Sequence, residues 1–96
     1  MADIDITGDL PSLTTVVLTT SAQSVAIPAR ARAVYVIEQT PNLQYSFDGS
    51  TYADGPNAAG FLVWSRARSS SADPLLYLKL ASGTTHTVRL DVRDHL

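Results

Sequence analysis

Apolar and polar residues alternate along several short segments of the chain, and the clearest example lies near the C-terminus. In the run Thr84 to Arg93, the residues Val88, Leu90 and Val92 occupy one parity, and polar or charged residues occupy the other from His86 onward. An alternation with a period of two places one set of side chains on each face of a pleated strand. The run therefore predicts a half-buried β-strand whose valines and leucine face a core.

The same period and a β-branched composition predict further strands. These are Thr14 to Thr20, Ser24 to Ile27, Ala33 to Glu38, Leu43 to Phe47, Phe61 to Arg66 and Leu75 to Leu80. Val, Ile and Thr lose rotamer freedom in helices and suit a pleated surface, and Pro and Gly between the segments indicate turns. The strand from Ala33 is apolar on both parities, so we expect the core or a neighbouring subunit to cover each face. Leu75 to Arg93 is expected to form a β-hairpin through Gly83.

Six or seven short strands separated by turns are typical of an all-β fold. We predict a single antiparallel β-sandwich, or a jelly-roll-like small barrel, of about six to eight short strands. A chain of 96 residues closes one core. Residues 14–96 are expected to form this domain, and residues 1–13 an N-terminal arm, an edge strand or a frayed terminus. The apolar anchors of that segment are Ile4, Ile6 and Leu10.

Charge and cysteine content narrow the classes of function. Charged residues make up 17% of the chain, below the usual quarter, which suggests that other copies or a partner cover part of the surface. The net charge is −2 with no basic cluster, so nucleic acid and anionic membranes are not expected partners. The chain has no cysteine, which excludes disulfides and thiolate sites. The acidic N-terminus and the short apolar runs predict a protein made in the cytoplasm without a cleaved signal or membrane span.

No motif for catalysis is present in the sequence. The serines of S-R-A-R-S-S-S lack a G-x-S-x-G elbow and a placed acid–base partner. Asp91 and Asp94 fall on opposite parities of a strand, so they do not converge as a glycosidase pair would. We therefore expect a protein that is not an enzyme.

Metal and cofactor sites are also not expected. His86 and His95 have no further ligand at zinc-site spacing. Asp48, Asp54 and Asn57 offer oxygen atoms for calcium, but their spacing differs from a dedicated calcium loop, and aspartate beside glycine favours turn chemistry.

One group of residues is typical of a binding surface. Trp64 with Arg66 and Arg68 can stack on sugars or on another protein's side chains, and Tyr52 lies in the glycine-rich segment Asp48 to Gly60. The alternative is that Trp64 fills the core and the arginines end a solvated strand. The candidate partner-binding residues are Ile4, Ile6, Leu10, Tyr52, Trp64, Arg66 and Arg68.

Three stretches carry a resemblance to a known group of proteins: S-V-A-I-P-A-R-A-R-A-V-Y-V, L-Q-Y-S-F-D-G-S-T-Y and the ending H-T-V-R-L-D-V. In these stretches the chain resembles small β-sandwich virion proteins of tailed bacteriophages, over Thr14 to Arg93. It departs from them before Phe61, where many carry a leucine-containing corner and this chain has only A-A-G.

The resemblance implies a non-enzymatic capsid decoration or cement protein, or a minor component of the neck or tail. Such a protein would bind the major capsid protein and its own copies, with a trimer favoured, and would be located in the virion. The alternative from the residues is a carbohydrate-binding sandwich that uses Trp64, Tyr52 and the segment Asp48 to Gly60.

Overall fold

Nine short strands in the described part of the chain form two β-sheets. The structure is a computed structural model that describes residues 4–6, 9–56, 58–66, 74–83 and 85–94. In these residues the strands are β1 (Ile4–Asp5), β2 (Ser12–Leu18), β3 (Gln23–Ala26), β4 (Ala33–Val36), β5 (Leu43–Ser46), β6 (Ala53–Asp54), β7 (Phe61–Ser65), β8 (Leu75–Leu80) and β9 (His86–Arg93).

The strands divide into a five-stranded sheet, in the order β1-β3-β8-β5-β6, and a four-stranded sheet, in the order β2-β9-β4-β7. The β1–β3 pair is parallel, with Ile4 opposite Val25, and the other pairs described are antiparallel. The two sheets pack face to face. The prediction of an all-β fold of the small sandwich type is confirmed.

The hydrophobic core lies between the sheets and is formed by the inward parity of each long strand. The predicted row Val88, Leu90 and Val92 is fully buried, as the alternation in the sequence requires. The row Leu76, Leu78 and Leu80 of the other sheet is buried in the same core. Further core residues are Val16, Leu18, Val25, Ile27, Ala31, Val34, Val36, Leu43, Val63 and Trp64.

The predicted β-hairpin from Leu75 to Arg93 is wrong. β8 pairs with β3 and β5, whereas β9 pairs with β2 and β4, so the chain crosses from one sheet to the other after Leu80. Gly83, with a φ of 96°, supplies a turn that is compatible with either path. Alternation shows which side chains face the core, and it is the same for two paired strands and for two strands that face each other.

The N-terminal segment packs against its own domain. β1 lies at the edge of the five-stranded sheet, and Ile4, Ile6 and Leu10 are partly buried against the core. The long first strand of the sandwich begins at Ser12, two residues before the expected start at Thr14. Ile4, Ile6 and Leu10 were candidates for partner binding, whereas in the structure the three side chains pack against the core of their own chain.

Candidate binding edge

The two sheets have four edges, and three of them offer little room for another strand. β1 and β6, which end the five-stranded sheet, have two residues each. β7 ends the four-stranded sheet, and its pairing with β4 carries a register shift. Short strands and bulges are common protections of sheet edges. The fourth edge is β2, which has seven residues, a continuous register with β9 and no described strand on its other side.

The direction of the backbone groups on β2 follows from its partner β9. Arg89 of β9 lies opposite Thr15, and its carbonyl accepts the N–H of Ile37 at 3.0 Å, on the β4 side. The N–H of Arg89 donates to Glu38, also on that side. Because backbone groups alternate in direction along an antiparallel pair, the N–H and C=O of Thr15 point away from β9. The same holds for Leu13 and Val17, two residues to either side.

The side chains of these three residues lie on the outer face of the sheet. Leu13 is 59% exposed and Val17 46% exposed, and they are two of the three exposed large apolar side chains in the described residues. Thr15 lies between them and is also exposed. We call Leu13, Thr15 and Val17, with their outward backbone groups, the β2 edge. No residue of β2 is charged, so the edge lacks the lysines that commonly block strand addition.

One side chain from the other sheet contacts the β2 edge. The Gln23 Nε2 amide donates to the carbonyl oxygen of Val17. The contact satisfies one lone pair of one carbonyl and leaves the backbone groups of Leu13 and Thr15 without a described partner. Among the described residues, the edge is therefore contacted at one end only.

Charges on the outer face beside the β2 edge are paired with one another. Glu38 forms an ion pair with Arg89, and Arg93 forms one with Asp91 at 2.8 Å. Burial raises the pKa of Glu38, but the hydrogen bonds and the charge of Arg89 outweigh this effect and lower it. Arg93 also lies over the ring of Tyr35, at 5.2 Å from the ring centroid. This face of the sheet carries little unpaired charge next to β2.

Trp64 is part of the core, which corrects its assignment to a partner-binding surface. Its side chain is fully buried. Trp64 pairs with Val34 and Leu62 pairs with Tyr35, so Val63 is an extra residue in β7 and the parity shifts there. Such a bulge turns the following side chain to the other face. Trp64 and Leu62, which a strict period of two would place on one face, therefore lie on opposite faces of the sheet.

Arg66, close to Trp64, links the end of β7 to the segment before β4 by hydrogen bonds. Its guanidinium lies 4.9 Å from the centroid of the Trp64 ring and donates to the carbonyls of Pro28, Ala29 and Ala31 at 2.9–3.2 Å. These contacts engage its Nε and Nη2 groups within the protein, so the structure favours a role for Arg66 in the fold over a binding role. Arg68 lies outside the described residues.

Tyr52 lies on the other sheet and does not share a surface with Trp64. The Lys79 ammonium is 4.3 Å from the centroid of the Tyr52 ring. Burial raises the pKa of Tyr52, and Tyr77 and Asp48 add to the shift. A sugar platform made of Trp64 and Tyr52 is therefore absent, because one ring is buried and a lysine covers the other.

The possible calcium ligands form a turn. Asp48 Oδ1 accepts hydrogen bonds from the N–H groups of Ser50 and Thr51 and from the Ser46 hydroxyl, at 2.8–2.9 Å. These bonds lower the pKa of Asp48 from 3.8 to about 2. No group of three metal-binding side chains occurs in the part of the chain that the structure describes. Asn57 and His95 lie outside that part.

The β2 edge was not among the sites predicted from the sequence. Its signal is present in S-L-T-T-V-V-L, where Val16 and Leu18 supply the buried parity and Leu13 and Val17 make the exposed parity apolar as well. An uncharged strand that is apolar on both parities is expected in the middle of a sheet. Only the strand order shows that this one lies at an edge.

Comparisons with protein-family models, curated proteins and solved structures find no match to the chain. The described part of the chain contains no helix with the length and apolar character needed to cross a membrane.

Proposed function

We propose that this protein is a non-enzymatic structural component of a tailed-bacteriophage virion. In this role it binds the capsid surface, through the major capsid protein and through its own copies, and stabilises the shell. The observation that carries the proposal is the β2 edge, a long, uncharged and open strand with apolar side chains on its outer face. Such an edge binds an added strand by main-chain hydrogen bonds, and the side chains on its faces supply the specificity.

Two further features support a role in assembly. Charged residues are few, and the ion pairs beside β2 are formed within the protein, so covering these pairs does not bury a charge that lacks a partner. The sequence resemblance to small virion sandwiches agrees with this role. A carbohydrate-binding module is supported less well, because Trp64 is in the core and Lys79 lies over Tyr52.

The test is whether the protein is a stoichiometric part of the virion. Virions of the phage that carries the gene are purified on a density gradient, and the protein is quantified by mass spectrometry relative to the major capsid protein. We expect a copy number comparable with that of the capsid protein. A small copy number would indicate a neck or tail component instead, and absence of the protein from the virions would overturn the proposal.

A further inference from the structure

The β2 edge is self-complementary: two copies related by a two-fold rotation can pair through it. In an antiparallel pair of two β2 strands centred on Thr15, Leu13 of each copy lies opposite Val17 of the other, and the two Thr15 residues lie opposite each other. The backbone groups of all three residues point outward, as the contacts of Arg89 show. Each of these opposite residues can therefore exchange both main-chain hydrogen bonds with its partner.

We propose that two copies of this protein associate through their β2 edges around a two-fold axis at Thr15. The inference deepens the proposed function, since it names the partner of the edge on which that function rests. The pairing joins the two four-stranded sheets into one continuous sheet. It also places the apolar side chains of Leu13 and Val17 against each other across the two strands.

Such a pairing accounts for the exposure of the Leu13 and Val17 side chains. Of the large apolar side chains exposed in the described residues, Leu13 and Val17 are on β2 and only Phe47 lies elsewhere. They are four residues apart on one face with Thr15 midway between them, which is the spacing that an antiparallel two-fold pair requires. A threonine on the axis faces its own copy without repulsion, whereas a charged residue there would oppose pairing.

The electrostatics of the edge permit the contact. β2 carries no charge, and the nearest charged side chains on the outer face, Arg89 and Arg93, are paired with Glu38 and Asp91. Gln23 is no obstacle, because a carbonyl oxygen has two lone pairs. Val17 can keep the Gln23 bond and accept the N–H of Leu13 from the second copy.

The size of the contact indicates a weak dimer. Seven residues of strand span about 24 Å, and one strand pair buries less than the roughly 1,200 Å² of a stable interface. The dimer is therefore concentration-dependent in solution and gains strength where a repeating surface holds copies side by side. A two-fold contact closes after two copies, so this edge builds a dimer, and a trimer would need another surface.

The symmetry of the pairing can be tested by cysteine cross-linking, because the chain contains no cysteine of its own. Opposite residues at a hydrogen-bonded position have Cα atoms about 5.5 Å apart, which suits a disulfide. We expect Thr15→Cys to form a covalent dimer under mild oxidation. The matched control is Leu13→Cys, whose two copies would lie roughly 14 Å apart along the strands and would not cross-link.

The strength of association is measured by sedimentation equilibrium over a range of concentrations. We expect the wild-type protein to dimerise and Thr15→Lys to raise the dissociation constant about tenfold or more, because two ammonium groups then face each other at the axis. Thr87→Lys is the control, since it adds the same charge to the same face one strand further into the sheet, on β9 opposite Val17, where it does not face its own copy across the two-fold axis. Circular dichroism checks that each variant is folded.

The inference is overturned if the wild-type protein stays monomeric at every concentration, or if Thr15→Lys dimerises as well as Thr87→Lys. Equal cross-linking of Leu13→Cys and Thr15→Cys would also overturn it. Failure of the proposed function is distinguishable from these results. If the protein dimerises as expected but is absent from virions, the β2 contact stands and the proposed function fails. If the protein is monomeric but present in virions, the proposed function stands and the β2 contact fails.

Discussion

The Arg66 guanidinium lies over the Trp64 ring, 4.9 Å from its centroid, and joins the end of β7 to the segment before β4. Its donors reach the carbonyls of Pro28, Ala29 and Ala31. A planar guanidinium with several donors is suited to such a set of acceptors, and a lysine ammonium is not. The residue was a candidate for partner binding, and the structure gives it a part in the fold.

Replacement of Arg66 should therefore lower the stability of the protein. We expect Arg66→Ala to reduce the free energy of unfolding by about 2 kcal/mol, because hydrogen bonds to a charged group are lost and carbonyls are left without a partner. Arg66→Lys should recover only part of this loss. Urea unfolding measures the change, and Arg32→Ala, at an exposed side chain, is the control. Equal losses for Arg66→Ala and Arg32→Ala would contradict the assigned role.

Gly49 lies in a turn whose backbone packs closely against the ring of Tyr77. Gly49 has a φ of 79°, and a Cβ placed there would lie 3.0 Å from the Tyr77 ring. Gly60 has a similar φ of 70° but nothing within 4 Å of such a Cβ. Gly49→Ala and Gly60→Ala should share a backbone cost of roughly 1 kcal/mol, and Gly49→Ala should lose about 1 kcal/mol more from crowding. Thermal and urea unfolding of the two variants measures the difference, and equal stabilities would show that Tyr77 moves aside freely.

Local pattern was sufficient to predict the longer strands, β2 to β5 and β7 to β9, and most of their inward residues. The row Val88, Leu90 and Val92 is buried as predicted, because period-two alternation acts within one strand. The partners of a strand depend on contacts between distant parts of the chain, which alternation does not encode. β8 and β9 illustrate this, since they are neighbours in sequence and lie in different sheets.

The candidate site was harder to predict for two physical reasons. The bulge at Val63 shifts the parity of β7, and no glycine marks it, so the sequence left open whether Trp64 lies in the core or on the surface. The exposure of Leu13 and Val17 follows from the position of β2 at the edge of a sheet, which is a property of the strand order. Both features arise from tertiary pairing.

Acid should weaken the Asp48 turn. The pKa of Asp48 is lowered from 3.8 to about 2 by hydrogen bonds from Thr51, Ser50 and Ser46. A lowered pKa means that the ionised carboxylate stabilises the folded state above pH 3.8 and that this contribution is lost as the pH falls toward about 2. Asp48→Asn does not titrate, so its stability should depend less on pH in that window.

Two measurements check the Asp48 prediction. Titration followed by NMR gives the pKa of the Asp48 carboxyl group, and urea unfolding at several pH values compares the wild-type protein with Asp48→Asn. A carboxyl group that titrates at its ordinary value, or parallel pH profiles for the two proteins, would show that the hydrogen bonds of the turn are not formed in solution.

The burial of Trp64 predicts its fluorescence. The chain has one tryptophan, and its side chain is fully buried, so the emission of the native protein should lie at short wavelength and resist quenching by acrylamide. Unfolding in urea should shift the emission to longer wavelength and make it accessible to the quencher. Native emission at the wavelength of a solvated indole would place Trp64 on the surface and restore the carbohydrate-binding alternative.

The exposed apolar residues of the β2 edge should matter for assembly and hardly at all for folding. The double replacement of Leu13 and Val17 by Thr puts a β-branched residue, which suits a strand, at both positions and changes exposed side chains, so each change should alter the free energy of unfolding by about 0.5 kcal/mol or less. The same variant should lose much of its incorporation into virions, because the apolar contact across the edge is removed. Phe47→Thr is the control, since Phe47 is 40% exposed and follows β5 in the other sheet. Quantitative mass spectrometry of virions assembled with each variant measures incorporation, and a loss with Phe47→Thr but not with the β2 variant would place the binding surface on the five-stranded sheet.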